Sequence, residues 1–236
     1  MLPLVHHRCL VEICALYEAW CEGALSELGF NEKHSKSMQY PTTFSGGKPT
    51  KGVASFLLVV LAKQSKVTST CIYPALINSS RHDLPHIEEL LICYRYFKEL
   101  RNSMVHSGGT SSQAFIDAEA AFLQLTGAQM GLKERPEHEP QVAGNGVKIN
   151  LRGVVGFGEV VLKLVCTLDA ELSKSNAAEQ LFAARWSAKH SVRITIATER
   201  SSRDDRIKRM TRKIELPTPV AIKVLDAWLC NKRFIV

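Results

Sequence analysis

Apolar residues recur every three or four positions along most of the chain, which is the period of an amphipathic helix. The clearest case is the stretch 84–109, LPHIEELLICYRYFKELRNSMVHSGG. Asp83 is expected to cap this helix, Pro85 suits its first turn, and Gly108 and Gly109 are expected to end it. The apolar positions of the stretch are Ile87, Leu90, Leu91, Tyr94, Phe97, Leu100, Met104 and Val105. The pattern predicts one long helix that ends in a polar cluster.

Six further stretches with the same period predict helices on both sides, and the first of them is also long. Their bounds are 4–29, 52–64, 114–125, 154–172, 177–189 and 219–229. Residues 30–51 and 127–146 are polar and contain several glycines and prolines, so they are expected to be exposed loops or connections. Residues 66–78 are partly β-branched, and their pattern leaves strand and loop open.

The last quarter of the chain has a different pattern. Residues 192–198 alternate apolar and polar side chains, which predicts a short strand. Residues 199–213 are densely charged, and 211–216 can pair back on the strand as a hairpin. We therefore expect a mostly α fold in which residues 176–236 form a small basic α/β C-terminal extension.

The net charge is concentrated in the same quarter. Residues 1–175 carry 17 basic and 17 acidic side chains, whereas residues 176–236 carry 13 basic and 6 acidic ones, so the whole excess of +7 lies there. Such a bias indicates a surface for nucleic acid or another acidic partner, although a solvated basic surface without a ligand has the same composition. The candidate substrate-binding residues are Arg200, Arg203, Arg206, Lys208, Arg209, Arg212 and Lys213.

Arg101 is out of place in the apolar pattern of the long helix. At about 100° per residue, it falls near the middle of the apolar face, between Phe97 and Met104. A guanidinium keeps its charge and is costly to bury alone, so Arg101 is expected to be paired, to reach solvent, or to face a partner or ligand. Asn102 follows it, and His106 stands near the helix end, where the helix dipole favours an imidazolium.

The segment from Arg101 to His106, RNSMVH, resembles the R-x(4–6)-H motif of the HEPN superfamily (higher eukaryote and prokaryote nucleotide-binding domains). In many members a polar residue, often Asn, follows the Arg, as Asn102 does here. The flank ELRNSMVHSGG is most similar to the bacterial HEPN branch found beside defence genes. The resemblance covers roughly residues 4–175. It implies a HEPN-type antiparallel helical bundle and a metal-independent ribonuclease that works as a homodimer, with the motifs of both subunits lining one cleft.

The residue types of this motif suit RNA cleavage without a metal ion. Cleavage needs a base for the 2′-hydroxyl, an acid for the leaving 5′-oxygen and a cation for the charged phosphorane. His106 can act as base or acid, Arg101 can bind the phosphate oxygens, and Asn102 can orient either group. Residues five apart lie about 140° apart on a helix, so two motifs facing across a twofold axis are needed to supply both base and acid. The structural alternative makes His106 a partner of the helix dipole and Arg101 an interface salt-bridge residue.

Other chemistries match the sequence poorly. Residues 46–48, GGK, lack the spacing of a phosphate-binding loop, and the glycines in 153–158 do not follow the dinucleotide-binding pattern. His82 and His86 have the i,i+4 spacing of helical metal ligands, but Pro85 lies between them and no further ligand is evident, so capping or surface roles are expected. The seven cysteines include no C-x-x-C pair and are expected to be buried, reduced thiols.

We therefore expect a cytoplasmic endoribonuclease, a toxin or antiviral effector, that cleaves RNA through Arg101, Asn102 and His106 without metal or cofactor. The expected domains are a HEPN domain over 1–175 and an extension over 176–236. Expected partners are RNA, a second copy of the chain, and an antitoxin or defence-system protein; no apolar run is long enough to span a bilayer. Two other functions stay open: a catalytically inactive HEPN module that binds RNA, nucleotide or a partner protein, and a nucleic-acid-binding regulator acting through residues 200–213.

One departure from the family pattern concerns regulation. HEPN toxins controlled by a nucleotidyltransferase antitoxin often extend the motif to R-x4-H-x-Y, and Gly108 stands where that Tyr would be. The ribonuclease motif is intact, but regulation by modification of that Tyr is not expected.

Overall fold

The protein is mostly α-helical, as predicted. A computed structural model describes residues 2–31, 33–106, 112–139, 147–190, 193–196 and 199–236. Helices account for 68% of the structure, about twice the usual share in globular proteins. The α-helices of the described residues are α1 (Leu2–Glu27), α2 (Lys33–Ser37), α3 (Val53–Leu61), α4 (Lys66–Cys71), α5 (Tyr73–Ile77), α6 (Ile87–His106), α7 (Gln113–Leu123), α8 (Leu151–Ser173), α9 (Asn176–Lys189), α10 (Arg200–Lys213) and α11 (Ile222–Asn231). Single 3-10 turns cover Leu84–His86 and Ala128–Met130, and the strands are β1 (Thr43–Ser45) and β2 (Lys48–Lys51).

The seven helices predicted from periodicity are confirmed, with ends that differ by a few residues. The chain leaves α1 at Gly29, whose φ is +68°. The long helix starts as a 3-10 turn and continues as α6 to His106. Gly108 and Gly109, expected to end it, lie outside the described residues.

The stretch 30–51, expected to be a loop, contains α2 and a hairpin. Strands β1 and β2 pair antiparallel, with Ser45 opposite Lys48. Gly46 and Gly47 connect them with φ values of +56° and +75°. Positive φ at both central residues is what a two-residue type I′ turn requires, and glycine adopts it without steric cost.

The ambiguous stretch 66–78 is helical, so both alternatives left open for it are wrong. Ser65 caps α4, because its hydroxyl oxygen accepts a hydrogen bond from the backbone N–H of Thr68 at 3.1 Å. Pro74 stands in the first turn of α5, where the missing N–H costs nothing. Val67 and Cys71 are buried, so tertiary packing overrides the β-branched composition.

The hairpin expected near 211–216 is also wrong, because residues 200–213 form α10. Ile207, Met210 and Ile214 recur at helical spacing and are buried, and Arg, Lys and Met are strong helix formers. The extended segment before α10 forms one isolated parallel bridge, between Ile194 and Ile235. Among the described residues of the predicted α/β extension, this bridge is the only β-structure. Val192 and Thr198 lie outside the described residues.

The chain forms two compact units. The first contains residues 1–26, 30–56 and 83–167, and the second contains 27–29, 57–82 and 168–236. Aromatic rings fill the first unit: Tyr96 stacks on Phe122 with ring centres 4.5 Å apart, and Phe97 stacks on Phe157 at 4.6 Å. Because α6 supplies Tyr96 and Phe97, this helix is central to the first unit.

The second unit has its own core, built from α4, α9, α10 and α11. Its buried members are Val67, Cys71, Ile72, Phe182, Trp186, Ile196, Ile207, Met210, Ile214, Ile222, Leu225, Leu229 and Ile235. Residues 176–236 therefore share a core with residues 57–82. The expected domains, 1–175 and 176–236, stay a prediction.

Candidate functional site on helix α6

The polar cluster at the end of α6 follows a fully buried face. The members of this face, each at most 1% exposed, are Leu90, Leu91, Tyr94, Phe97 and Leu100. Tyr94 meets Tyr17 of α1 edge to face, with ring centres 4.6 Å apart. These contacts fix the rotation of α6 against α1, and so they set where the residues of its last turns point.

Arg101 is paired within its own chain, which is the first of the three situations expected for it. Its Nη2 donates to Oε1 of Glu18 on α1 at 2.7 Å, and its side chain is 16% exposed. Nζ of Lys98, one turn earlier, lies 2.8 Å from the same Oε1 and donates to Gln39 Oε1 at 2.7 Å. Two cations share one carboxylate, so this cation cluster of Glu18, Lys98 and Arg101 has one positive charge in excess.

The surroundings keep that positive charge in place. Burial is the largest influence on the pKa of Arg101 and lowers it, but Glu18 and Cys14 together raise it by more, and the net shift is upward. Cys14, one turn before Glu18, is fully buried, and burial raises its pKa to about 12. The thiol is therefore neutral at physiological pH and contributes no second negative charge. A guanidinium in such a site is well suited to a planar anion or a phosphate.

Two polar atoms near the cluster lack a hydrogen-bond partner among the described residues. They are Nε of Arg101 and the hydroxyl oxygen of Tyr94, both buried. Buried polar groups in folded proteins are nearly always paired, and leaving one unpaired costs about 1–3 kcal/mol. The cluster thus has donor capacity that the described part of the chain does not use.

The other two residues of the motif lie on the same helix. Nδ2 of Asn102 donates to Oε2 of Glu99 at 3.3 Å. The backbone of α6 runs to His106, whereas the side chain of His106 lies outside the described part of the structure. The catalytic roles of Arg101, Asn102 and His106 stay predictions.

The seven basic residues predicted to bind substrate all lie on α10, where they form two groups. Arg203 is bound by Asp226 of α11, with Nε and Nη2 at 2.7–3.0 Å from its carboxylate oxygens, and is 16% exposed. Lys208 lies 3.4 Å from Asp205. The remaining five are exposed and form no ion pair with another described residue; they are Arg200, Arg206, Arg209, Arg212 and Lys213.

Sequence reasoning missed Glu18 and Lys98, although each had a signal. Glu18 follows the buried Tyr17 directly and comes four residues after the buried Cys14, so its carboxylate borders an apolar face. An acid beside one apolar face and a base beside another are natural partners when the faces pack. Lys98 lies three residues before Arg101, which places both cations on one side of α6.

The expectation that Asp83 caps the long helix is wrong, because its carboxylate is engaged by Lys163 and His86. Oδ2 accepts from Nζ of Lys163 at 2.8 Å, and Oδ1 lies 2.5 Å from Nδ1 of His86. Burial raises the pKa of Asp83, but Lys163 and His86 lower it by more, so the carboxylate stays ionised. Both carboxylate oxygens therefore have side-chain partners, and neither accepts a hydrogen bond from the backbone of the first turn.

The two histidines with helical spacing have separate carboxylate partners. His86 lies against Asp83, and in the second unit Nε2 of His82 lies 3.5 Å from Oε1 of Glu171. In the part of the chain that the structure describes, no three His, Cys, Asp or Glu side chains are grouped so that they could hold a metal ion.

No family model, no curated protein and no solved structure matches the chain. The HEPN resemblance therefore rests on the motif and on the helix that carries it. Within the described ranges, no helix has both the length and the apolar content needed to cross a bilayer.

Proposed function

We propose that the protein is a metal-independent endoribonuclease of the HEPN type, a cytoplasmic toxin or antiviral effector that acts as a homodimer. Its catalytic residues in this proposal are Arg101, Asn102 and His106. The observation that supports it best is the cation cluster: Arg101 is held near the end of α6 with an excess positive charge and an unused donor, five residues before His106.

The proposed chemistry is an attack by the RNA on its own backbone. A histidine acting as base takes the proton of a 2′-hydroxyl, whose oxygen then bonds to the adjacent phosphorus. An acid protonates the 5′-oxygen as its bond to phosphorus breaks, which leaves a 2′,3′-cyclic phosphate and a 5′-hydroxyl. Arg101 stabilises the phosphorane oxygens. Lys98 stays paired with Glu18, so the carboxylate does not lose its only cation when Arg101 turns to phosphate.

The proposed dimer rests on the spacing of the motif. Arg101 interrupts the apolar face of α6. Its charge is paired with Glu18 of the same chain, so this interruption is not evidence for a second subunit. Residues five apart diverge by about 140° on a helix, and a second copy is needed to bring a base and an acid to one phosphate. Val105, in the last turn, is 52% exposed, as expected for a residue that packs against a partner.

Light scattering and a subunit-mixing experiment test the dimer. Arg101→Ala and His106→Ala subunits are mixed and assayed for cleavage. If one intact Arg and one intact His are enough, the mixture regains part of the activity; if the cleft needs both copies, it stays inactive. A protein that is monomeric at its working concentration, with undiminished specific activity on dilution, would exclude the shared cleft.

Expression in bacteria of the wild type against His106→Ala is the main test of the ribonuclease. We expect the wild type to arrest growth and fragment RNA, and the variant to do neither at equal protein level. Purified wild type should leave cyclic-phosphate ends and should cleave in EDTA. Activity that chelation abolishes and a divalent ion restores would contradict the metal-independent mechanism.

A catalytically inactive RNA-binding module is the second candidate, and one observation favours it. Glu18 holds Nη2 of Arg101 and leaves only 16% of the side chain exposed, which limits the access of a phosphate to the guanidinium. In that case wild type and His106→Ala bind RNA equally, and neither cleaves it. Cleavage by the wild type alone separates the two functions.

A further inference from the structure

An open groove of about 440 Å³ lies in the second unit between the C-terminal ends of α9 and α10. Arg185 and Lys189 line it from α9, one turn apart, and Lys213 lines it from α10. Glu215 contributes the one carboxylate of the lining, whose other members are Ala188 and Ile214. Three cations against one carboxylate give the groove a net charge of +2.

Arg185 is available to a ligand although it has a partner. Its Nη2 lies 2.6 Å from Oε2 of Glu27, and both side chains are more than a third exposed. Exposed ion pairs contribute about 0–1 kcal/mol, so a phosphate can replace Glu27 at small cost. Lys189 and Lys213 are exposed and form no ion pair with any other described residue.

A row of cations on α10 leads into this groove. Arg206, Arg209 and Lys213 stand at i, i+3 and i+7, so they share one exposed face over about 10 Å of helix. Arg203 and Lys208 point elsewhere and are paired with Asp226 and Asp205. The row and the groove together form what we call the basic track: Arg185, Lys189, Arg206, Arg209 and Lys213.

The helix dipole explains only part of the basic track. Lys189 and Lys213 stand in the last turns of their helices, where a cation is favoured whatever its function. The dipole effect fades within one turn. It therefore does not account for Arg206 and Arg209, which lie one to two turns before the end of α10 on the same face.

His190, which follows α9, lies close enough to Lys189 and Lys213 for their charges to affect its pKa. Its ring lies 4.9 Å from that of Trp186. Burial lowers its pKa most, a bond to the backbone of Met210 opposes this, and Lys213 and Lys189 lower it further. The positive potential of both lysines thus acts at one point beside the groove.

The chemistry of the track fits the phosphodiester backbone of a nucleic acid rather than a lipid surface. A membrane-bound helix needs an exposed apolar face beside its cations. The apolar residues of α10, Ile207 and Met210, are buried in the second unit. The ligand is therefore held by charge, and arginines bind phosphate oxygens through a planar fork.

We propose that the basic track binds the backbone of RNA through its phosphates, without reading the base sequence. RNA as the ligand rests on the proposed function. The track adds Arg185 and Lys189 to the candidate binding residues, and it assigns Arg203 and Lys208 to the structure of the second unit. Each phosphate contact releases counterions, so affinity should fall steeply with salt.

The test is the salt dependence of binding to a labelled oligouridylate, measured by fluorescence anisotropy between about 50 and 200 mM salt. All proteins carry His106→Ala, so cleavage cannot affect the result. For Lys189→Gln/Lys213→Gln we expect the slope of log affinity against log salt to fall by about 1.4, since each single-strand phosphate contact contributes about 0.7. Arg206→Gln/Arg209→Gln should act alike.

The matched control is Lys48→Gln/Lys223→Gln, which removes the same charge from two exposed lysines outside the track. It should leave the slope unchanged. Equal slopes for the track variants and this control would overturn the proposal. Vesicles containing phosphatidylserine are the second probe, and binding to them but not to the oligouridylate also overturns it. If the protein with His106 intact does not cleave RNA, while the His106→Ala background shows track-dependent binding, the proposed function alone is contradicted.

Discussion

Helices α6 and α10 both carry cations, but they use them in opposite ways. On α6, Lys98 and Arg101 are largely buried and share the carboxylate of Glu18. On α10, five exposed cations form no ion pair with another described residue, and only Arg203 and Lys208 have acidic partners. The same residue types are therefore a fixed internal site in one unit and an exposed charged surface in the other.

The difference has energetic consequences. A cation taken out of water needs a local counter-charge, and removing that counter-charge leaves a buried ion uncompensated. An exposed cation is screened by salt and contributes little to stability. We therefore expect substitutions at α6 to affect catalysis and folding, and substitutions on the exposed face of α10 to affect binding alone.

The largest expected effect is on cleavage by variants of Arg101. Arg101→Ala should lower the cleavage rate by about 10²–10³-fold, because a preorganised donor to the developing charge is lost. Arg101→Lys keeps the pairing with Glu18 but not the planar fork, so it should recover only part of the rate. Single-turnover cleavage of a labelled RNA measures both. Full activity of Arg101→Lys would show that only charge matters at this position.

The sequence was informative about α6 and less so about its neighbours. Periodicity predicted the helix and its buried face, and it marked Arg101 as an exception, because side-chain burial follows helical geometry directly. Glu18 was missed because its distance to Arg101 depends on how α1 packs against α6, which is a long-range contact. Asp83 was misassigned for the same reason: Lys163, 80 positions away, competes for its carboxylate.

Residues 200–213 show what the composition of a segment can and cannot predict. Its composition predicted a charged surface, and the structure places five of its seven cations on the exterior of α10. Composition could not show that Arg203 faces Asp226, nor that Arg185 and Lys189 of α9 line a groove with Lys213. The charges of a segment can be counted from its sequence, whereas which of them lie close together depends on how the helices pack.

The second prediction compares the stability of the two kinds of ion pair. Glu18→Gln leaves Lys98 and Arg101 without their carboxylate, and it should lower the free energy of unfolding by about 2 kcal/mol, less than a fully buried site because Glu18 is partly exposed. Asp205→Asn removes the same charge beside Lys208 on the surface of α10 and should cost about 0.5 kcal/mol at most. Urea unfolding measures both.

Equal losses in the two variants would contradict the distinction between an internal cation site and a charged surface. Circular dichroism at low urea shows whether each variant keeps its helices. A gain in stability for Glu18→Gln would mean that the two cations reach solvent when their carboxylate is removed.

The third prediction separates two groups of residues within α10. Asp226→Asn weakens the two-point contact with Arg203 and should lower the free energy of unfolding by about 1 kcal/mol. It should leave the salt slope of oligouridylate binding unchanged, because Arg203 lies outside the basic track. Arg206→Gln/Arg209→Gln should do the reverse, with a lower salt slope and unchanged urea midpoint. A steeper salt slope for Asp226→Asn would mean that Arg203, once released from its carboxylate, contacts phosphate.

The smallest expected effect concerns His190, and it is read by NMR titration. The pKa of His190 lies below its ordinary value of 6.5, chiefly through burial and then through Lys213 and Lys189. The unfolded chain binds a proton near pH 6.5 and the folded protein only at lower pH, so this residue's contribution to stability is complete above pH 6.5 and is lost as the pH falls below it. In Lys189→Gln/Lys213→Gln, and in the His106→Ala protein with bound oligouridylate, the positive potential is reduced and the pKa should rise. Lys48→Gln/Lys223→Gln should leave it in place. A pKa that oligouridylate does not move, under conditions where anisotropy shows binding, would mean that the phosphates bind away from the groove.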